Sequence, residues 1–186
     1  MTAQAGALQT AAQASRFNGM TVDDIEGIRQ VIARFSQTLD FGDAEGFAAC
    51  FVENGILDTT APEDGLTGIH QGREELRRFA TVATEYTAGC VRQSAVNTMI
   101  EGDGATARAT SYAVITRAYA DLSNPRGRPS ETKGTRAEME TTGMYFDEFV
   151  KVDGQWLFSR RQFRHDGLPA VLERTLTPIT VGPRPA

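Results

Sequence analysis

The sequence predicts an α+β domain in which helices come first and a run of antiparallel strands follows. Before residue 87 three segments have apolar residues at helical spacing, whereas from residue 91 the chain has the pattern of strands joined by hairpin turns. A doubly wound nucleotide-binding fold is excluded, because helices and strands do not alternate and no G-x-G-x-x-G motif follows a strand.

The first predicted helix has signals at both ends. Thr21 is a favourable N-cap, and Asp24 three residues later gives an acidic variant of the capping box. The apolar residues that follow keep helical spacing as far as Leu39. The helix is therefore expected to end near Asp40, with Gly42 as its stop signal.

Two further helices are expected before the main run of strands. Asp43 opens a second, short helix, and residues 54–59 indicate a turn and a short strand. Residues 60–71 are polar and contain a proline and glycines, which predicts a loop. A third helix is expected over Glu74–Tyr86, where the apolar spacing is again helical.

The second half of the chain predicts four strands, which are Val91–Ile100, Ala105–Ala120, Thr141–Val152 and Gln155–Arg164. Gly-Asp-Gly joins the first two strands and Asp-Gly joins the last two, and both sequences favour tight hairpin turns. Residues 121–140 are polar and contain two prolines, so they are expected to form a flexible excursion between the two hairpins.

Composition indicates one globular domain and excludes some partners. Of the 186 residues, 40% are hydrophobic and 23% are charged. We expect a flexible N-terminal arm over residues 1–19, the folded domain over 20–168 and a C-terminal tail over 169–186. The net charge of −5 and the lack of a long apolar run argue against nucleic acid or a membrane as partners. With no secretory pattern and only two cysteines, Cys50 and Cys90, a cytoplasmic protein with reduced thiols is expected.

Four segments within residues 20–166 occur in an order that is typical of one protein family. They are Leu39–Asp43, Gly68–Phe79, Asn97–Ala107 and Gly143–Trp156. Together they resemble the SnoaL-like proteins of the nuclear-transport-factor-2-like superfamily. The resemblance implies a cone-shaped, curved antiparallel sheet wrapped around the N-terminal helices, a cystatin-like α+β barrel with a pocket inside. It also implies a homo-oligomer, expected to be a dimer, and a small apolar ligand bound without a cofactor. Since the superfamily includes dehydratases, isomerases, cyclases, epoxide hydrolases and non-catalytic subunits, the fold does not decide the function.

Asp40 is the first candidate for a catalytic group. It lies at the flank of the apolar stripe of the first helix, where loss of hydration would raise its pKa and make it a usable base. The alternative is an acid that merely caps the turn at Gly42. In dehydratase and dehydrochlorinase relatives, the aspartate that matches Asp40 pairs with a histidine from the strand after the third helix.

That strand histidine is absent here. The corresponding positions carry Gln93 and Ser94, and an amide exchanges no proton at neutral pH. Gln93 and Asn97 are four residues apart and are expected to share one strand face, where they would bind a substrate oxygen or hold a water. The alternative is that both are solvent-facing polar residues. Neither histidine of the chain has metal-ligand spacing, so no metal is expected.

Other candidates come from the remaining strands and the first helix. The resemblance places Gly143 and Tyr145 in the pocket wall, and a tyrosine hydroxyl there is either an oxyanion donor or a core group with one partner. It also places Thr59 near the wall, and Phe35 on the inner face of the first helix is assigned to binding. His165 is a third catalytic candidate, with Asp166 pointing to the opposite face, whereas His70 is expected on a surface loop.

Two functions stay open at this point. The first is an enzyme that dehydrates, isomerises or cyclises a polyketide-, terpenoid- or steroid-like molecule, with Asp40, Tyr145 and His165 as catalytic groups. Epoxide opening by water activated at Asp40 is a variant of it. The second is a ligand-binding or accessory protein without chemistry, which the missing strand histidine favours.

Overall fold

The computed structural model of the chain describes residues 19–60, 66–119 and 136–166. The expected C-terminal tail, nearly all of the expected N-terminal arm and most of the expected excursion over 121–140 lie outside the described residues. Within the described ranges the helices precede most of the strands, so the α+β prediction is confirmed.

Within residues 19–60, 66–119 and 136–166 there are three helices, namely α1 (Val22–Phe41), α2 (Ala44–Ala49) and α3 (Arg73–Thr87). The predicted end signals of α1 are confirmed. Thr21 and Asp24 form a complete capping box, in which each side chain accepts a hydrogen bond from the other residue's backbone N–H. At the other end Gly42 takes a left-handed conformation with φ 76°, which ends the helix without strain on a side chain.

In the described part of the chain six strands form one curved sheet, namely β1 (Phe51–Thr60), β2 (Thr67–Gln71), β3 (Val91–Gly102), β4 (Thr106–Tyr119), β5 (Arg136–Val152) and β6 (Gln155–His165). The strand order is β2–β1–β6–β5–β4–β3. Neighbouring strands are antiparallel except for β1 and β6, which run parallel. Among the described residues the sheet has two edges, β2 and β3, so it is open and does not close into a barrel.

The strands differ from the prediction in three places, one of which is that β1 begins at Phe51, before the expected turn at residue 54. The segment 60–71, expected to be a loop, contains β2, which pairs with the end of β1. The short edge strand is stabilised by its neighbour and not by an apolar pattern of its own, so the sequence gives no sign of it. The strand β5 begins at Arg136, inside the expected excursion, because that residue already pairs with Tyr119 of β4.

The helices pack on the inner, concave face of the sheet. Helix α1 contacts β3 and β6, and α3 contacts β1 and β2. The centre of the core is aromatic: the rings of Phe47, Phe51 and Phe158 each lie within 6.0 Å of the Phe35 ring. Together with the antiparallel pairing of β4 and β5, this confirms the predicted placement of the first helix inside the sheet.

A buried carboxylate ties the start of α1 to the turn between β5 and β6. Asp24 accepts hydrogen bonds from Lys151 Nζ at 2.7 Å and from Trp156 Nε1 at 3.1 Å. The bond from Lys151, together with those from Thr21 and Trp156, holds the pKa of Asp24 well below its usual range despite burial. The charged side chain therefore links the first helix to the last hairpin.

Two of the register shifts in the sheet, in β3 and in β6, bear on which side chains of the candidate site face the interior. One lies between Val96 and Met99 in β3, and the other lies between Phe158 and Arg160 in β6. Side chains alternate between the two faces of a strand, so one extra residue exchanges the faces beyond it. Residues beyond each bulge therefore point to the opposite face from the one that strict alternation predicts.

Candidate functional site

A cavity of about 330 Å³ lies between α1, α3 and the inner face of the sheet. Its wall is mostly apolar and includes Leu39, Leu66, Phe79, Val91, Ile115 and Phe163. Polar side chains enter it at a few places, from Thr59, Gln93, Thr141, His165 and the ion pair of Arg117 with Glu140. An apolar cavity with a few convergent polar groups is the usual form of a small-molecule site.

Asp40 lies in the wall behind this cavity. Its residue surface is only 8% exposed, and its Oδ2 accepts a hydrogen bond from the Gln93 backbone N–H at 3.1 Å. Loss of hydration raises the pKa of Asp40 to about 6, although the Gln93 hydrogen bonds and the charge of Arg92 oppose the rise. The residues that line the cavity include Leu39 and Gln93 but not Asp40, so the carboxylate does not open directly into the cavity.

Gln93 connects Asp40 to Tyr145. The Tyr145 hydroxyl donates to Gln93 Oε1 at 3.1 Å, and the Gln93 side chain also forms a hydrogen bond that lowers the pKa of Asp40. Because the amide oxygen is occupied by Tyr145, the amide nitrogen is turned toward other acceptors. The chain of polar groups Asp40–Gln93–Tyr145 thus lies along one side of the cavity, and Gln93 is its cavity-lining member.

Asn97 does not share the face of Gln93, which corrects the prediction. The bulge in β3 includes Asn97, whose φ of 53° is in the left-handed region, and its side chain is exposed. The prediction from spacing was wrong because it assumed that side chains alternate strictly between the two faces of β3.

His165 lines the cavity at the end of β6. Its Nε2 is hydrogen-bonded to the Thr141 hydroxyl of β5, which fixes the ring against the wall. The neighbouring Asp166 accepts a hydrogen bond from the Thr142 hydroxyl at 2.7 Å.

His70 is not on a surface loop, contrary to the prediction. It belongs to β2, is buried, and its ring lies 4.8 Å from the Phe79 ring. Burial lowers the pKa of His70, which favours the neutral imidazole. The unrecognised strand β2 explains the error, because pairing with β1 directs this side chain inward.

The remaining candidates divide between the cavity and the core. Thr59 lines the cavity as expected, whereas Phe35 is part of the aromatic core and not of the cavity wall. Gly143 is buried under the next strand, where an added Cβ would lie 2.3 Å from the Arg164 carbonyl oxygen. Its role is to permit close packing of β5 and β6.

Sequence reasoning missed a buried ion pair next to the site. Arg161 and Asp147 are paired residues of β6 and β5, and neither side chain is exposed. The bulge in β6 turns Arg161 inward, where its guanidinium lies 3.8 Å from the centre of the Tyr145 ring. The only sequence signal was the position of Asp147 on the same strand face as Tyr145.

Another concavity, of about 350 Å³, lies on the outer side of the sheet, where Arg108, Phe146, Glu148 and Arg160 line it. It contains none of the predicted site residues, so the inner cavity is the candidate site. In the described ranges no group of three or more His, Cys, Asp or Glu side chains is arranged to hold a metal ion. None of the helices in these ranges is long and apolar enough to cross a membrane.

The fold and cavity define a class of protein: a small α+β domain whose helices and curved sheet enclose a mostly apolar cavity with a few polar groups. The sequence matches the SnoaL-like domain over residues 20–162, and the chain belongs to that family. The resemblance noted from the sequence is thereby confirmed. No curated protein matches the chain significantly.

Solved structures that are similar to this chain have the same fold. A protein of unknown function from Mycobacterium tuberculosis is 28% identical, with a TM-score of 0.60 over 78% of this chain and 73% of its own. An NTF2-like protein with a cystatin-like fold from Novosphingobium aromaticivorans is 19% identical, with a TM-score of 0.63 over 93% and 95%. Another protein from that organism, provisionally named a scytalone dehydratase, is 23% identical, with a TM-score of 0.56 over 76% and 83%.

Proposed function

We propose that the protein is an enzyme that moves a proton on a small, mostly apolar, oxygenated molecule held in the inner cavity. The reaction is a dehydration, isomerisation or cyclisation that needs no cofactor. Asp40, behind the cavity wall, acts as the general base through one water bound at its Oδ1, and Gln93 orients an oxygen of the substrate. Membership of the SnoaL-like family and the likeness to a protein provisionally named a scytalone dehydratase favour this class of reaction.

The observation that carries the proposal is the half-satisfied carboxylate of Asp40. Its Oδ2 is held by Gln93, whereas its Oδ1 is buried and makes no hydrogen bond among the described residues. A buried acceptor without a partner costs about 1–3 kcal/mol, so a water or a ligand group is the natural occupant of that position. With a pKa of about 6, the carboxylate is largely ionised at neutral pH and is a stronger base than an exposed aspartate.

His165 is the second proton-exchanging group that the proposal uses. It lines the cavity, and its hydrogen bond to Thr141 fixes the ring. In a dehydration, one group removes a proton and another donates one to the departing hydroxyl, so two positioned groups are required. Asp40 and His165 are assigned these roles, and Tyr145 supports developing negative charge through Gln93.

The test is a comparison of variants on a panel of small ketones that carry a β-hydroxyl group, a β,γ double bond or an epoxide. Asp40→Asn should lower kcat by at least about 100-fold, the usual contribution of a general base, while the variant still binds the substrate. Asp43→Asn is the matched control, because Asp43 is exposed, caps α2, and asparagine is an equally good N-cap. Turnover by Asp40→Asn at the wild-type rate would remove Asp40 from the mechanism.

A second candidate function is a ligand-binding protein without chemistry. Two observations favour it: Asp40 is outside the cavity lining, and the polar cavity-lining residue of β3, Gln93, carries an amide where an imidazole would exchange protons. This candidate function predicts that ketones of the panel bind to the protein and are released chemically unchanged. Binding of a ketone by isothermal titration calorimetry, with no product detected by mass spectrometry, would favour it over the enzyme.

A further inference from the structure

A buried charge pair that the proposed chemistry does not use lies against Tyr145. Arg161 Nε is 3.5 Å from Asp147 Oδ1, and neither side chain is exposed. Within the described part of the chain, none of the three guanidinium nitrogens and neither carboxylate oxygen makes a hydrogen bond. The two groups therefore attract each other by charge, without the hydrogen bonds that usually satisfy a buried arginine.

Aromatic rings surround the guanidinium instead. The central carbon of this group lies 3.8 Å from the centre of the Tyr145 ring, 4.2 Å from that of Phe35 and 4.9 Å from that of Phe158. A cation over the face of a ring is attracted by the negative ring face, and it favours any negative charge that develops on that ring.

Strand β4 leaves room for this arrangement. Its inner side chains opposite the pair are small: Ala109 pairs with Asp147, and Ser111 pairs with Tyr145. The pair therefore meets no bulky β4 side chain, and the field of Arg161 reaches the phenol through protein and not through solvent. In such a medium of low effective dielectric, charge effects are several-fold larger than in water.

We propose that the Arg161–Asp147 pair determines how strongly the Tyr145 hydroxyl donates to Gln93. Arg161 is a positioning residue whose positive charge strengthens this donation, and the negative charge of Asp147 opposes it. A more strongly donating phenol polarises the Gln93 amide, whose nitrogen carries two N–H groups, one for Asp40 and one for a bound oxygen. The catalytic consequence rests on the proposed function, but the coupling between the pair and the phenol does not.

Electrostatics gives the two charges opposite effects on the phenol. Burial raises the pKa of Tyr145 to about 12, the positive charge of Arg161 lowers it, and the negative charge of Asp147 raises it. Removing the positive charge should therefore raise the pKa of the phenol, and removing the negative charge should lower it. A pair with a purely structural role predicts no such opposition, because either substitution would loosen the same core.

The experiment replaces Tyr145 by a genetically encoded fluorinated tyrosine whose phenol ionises near neutral pH, and follows its ionisation by ¹⁹F NMR. Arg161→Met should raise the pKa of this phenol by about one unit or more, a tenfold change in its ionisation constant, and Asp147→Asn should lower it. Arg160→Met is the matched control, since Arg160 lies on the same strand and pairs with Asp58, away from Asp147. The control should leave the ionisation of the phenol unchanged.

Equal ionisation in all variants, or shifts of the same sign in Arg161→Met and Asp147→Asn, would overturn the proposal. If either single variant does not fold, the double variant Arg161→Met with Asp147→Leu removes both buried charges at once, a change that proteins often tolerate. Arg161 is the group in contact with the ring, so the double variant should still raise the pKa of the phenol, and an unchanged or lower pKa would count against the proposal. These titrations need no substrate, so their outcome is independent of whether Asp40 proves catalytic.

Discussion

Asp40 should make the stability of the fold fall as the pH rises from about 4 to 7. In the folded protein the pKa of Asp40 is raised from 3.8 to about 6, because burial disfavours the charged form. A carboxyl whose pKa is raised on folding stabilises the folded state below its unfolded pKa, and this contribution is lost as the pH rises through the folded pKa. The shift of about two units corresponds to about 3 kcal/mol of unfolding free energy at 1.36 kcal/mol per unit.

The assay is urea unfolding of wild type and Asp40→Asn at intervals from pH 4 to pH 8. The asparagine keeps an acceptor for the Gln93 N–H but carries no titratable charge, so the variant should gain stability relative to wild type as the pH rises. Burial also raises the pKa of Asp147 to about 6, but Asp147 is present in both proteins and cancels in the difference. A difference in unfolding free energy that stays constant across this range would refute the argument that Asp40 is buried in an apolar environment.

Two other predictions concern the fold and its assembly. Asp24→Ala should lower the free energy of unfolding by about 3 kcal/mol, because it removes a capping box and leaves Lys151 and Trp156 without their shared partner. Asp23 in the same turn is exposed, so Asp23→Ala should lower it far less, and thermal unfolding of the two variants measures the difference. The chain should form a homodimer through the outer face of β3 and β4, where Met99 and Tyr112 are exposed. Sedimentation should give twice the 20.2 kDa chain mass, and Tyr112→Glu should halve it; a wild-type monomer at all concentrations would contradict this.

The predictable parts of the fold are those that short-range chemistry determines. Thr21, Asp24 and Gly42 act within a few residues of one another, so their sequence suffices to define both ends of α1. Strand β2 was missed because its stability comes from pairing with β1 across an intervening loop. A contact that is distant in sequence leaves no local pattern to detect.

Side-chain orientations at the candidate site were mispredicted for a similar reason, because the bulges in β3 and β6 exchange the faces of their strands. Alternation counted from Gln93 places Asn97 inside, and alternation counted from Phe158 places Arg160 inside and Arg161 outside. Each bulge reverses the outcome: Asn97 is exposed, and Arg161 is buried against Tyr145. An extra residue in a strand is accommodated by its partner strand, so sequence spacing alone does not reveal which faces are exchanged.

The parallel pairing of β1 with β6 has a consequence for how the chain folds as it is synthesised. Asp58 of β1 accepts a hydrogen bond from Arg160 Nη2, 102 residues later, at 2.6 Å. On the ribosome, the early helices and β1 therefore emerge long before the strand that completes their half of the sheet. Closing so long a loop is slow, and the exposed apolar faces of the waiting segments favour aggregation. We expect nascent chains of this protein to depend on chaperones until β6 has left the exit tunnel, and slower translation upstream of β6 to prolong that dependence.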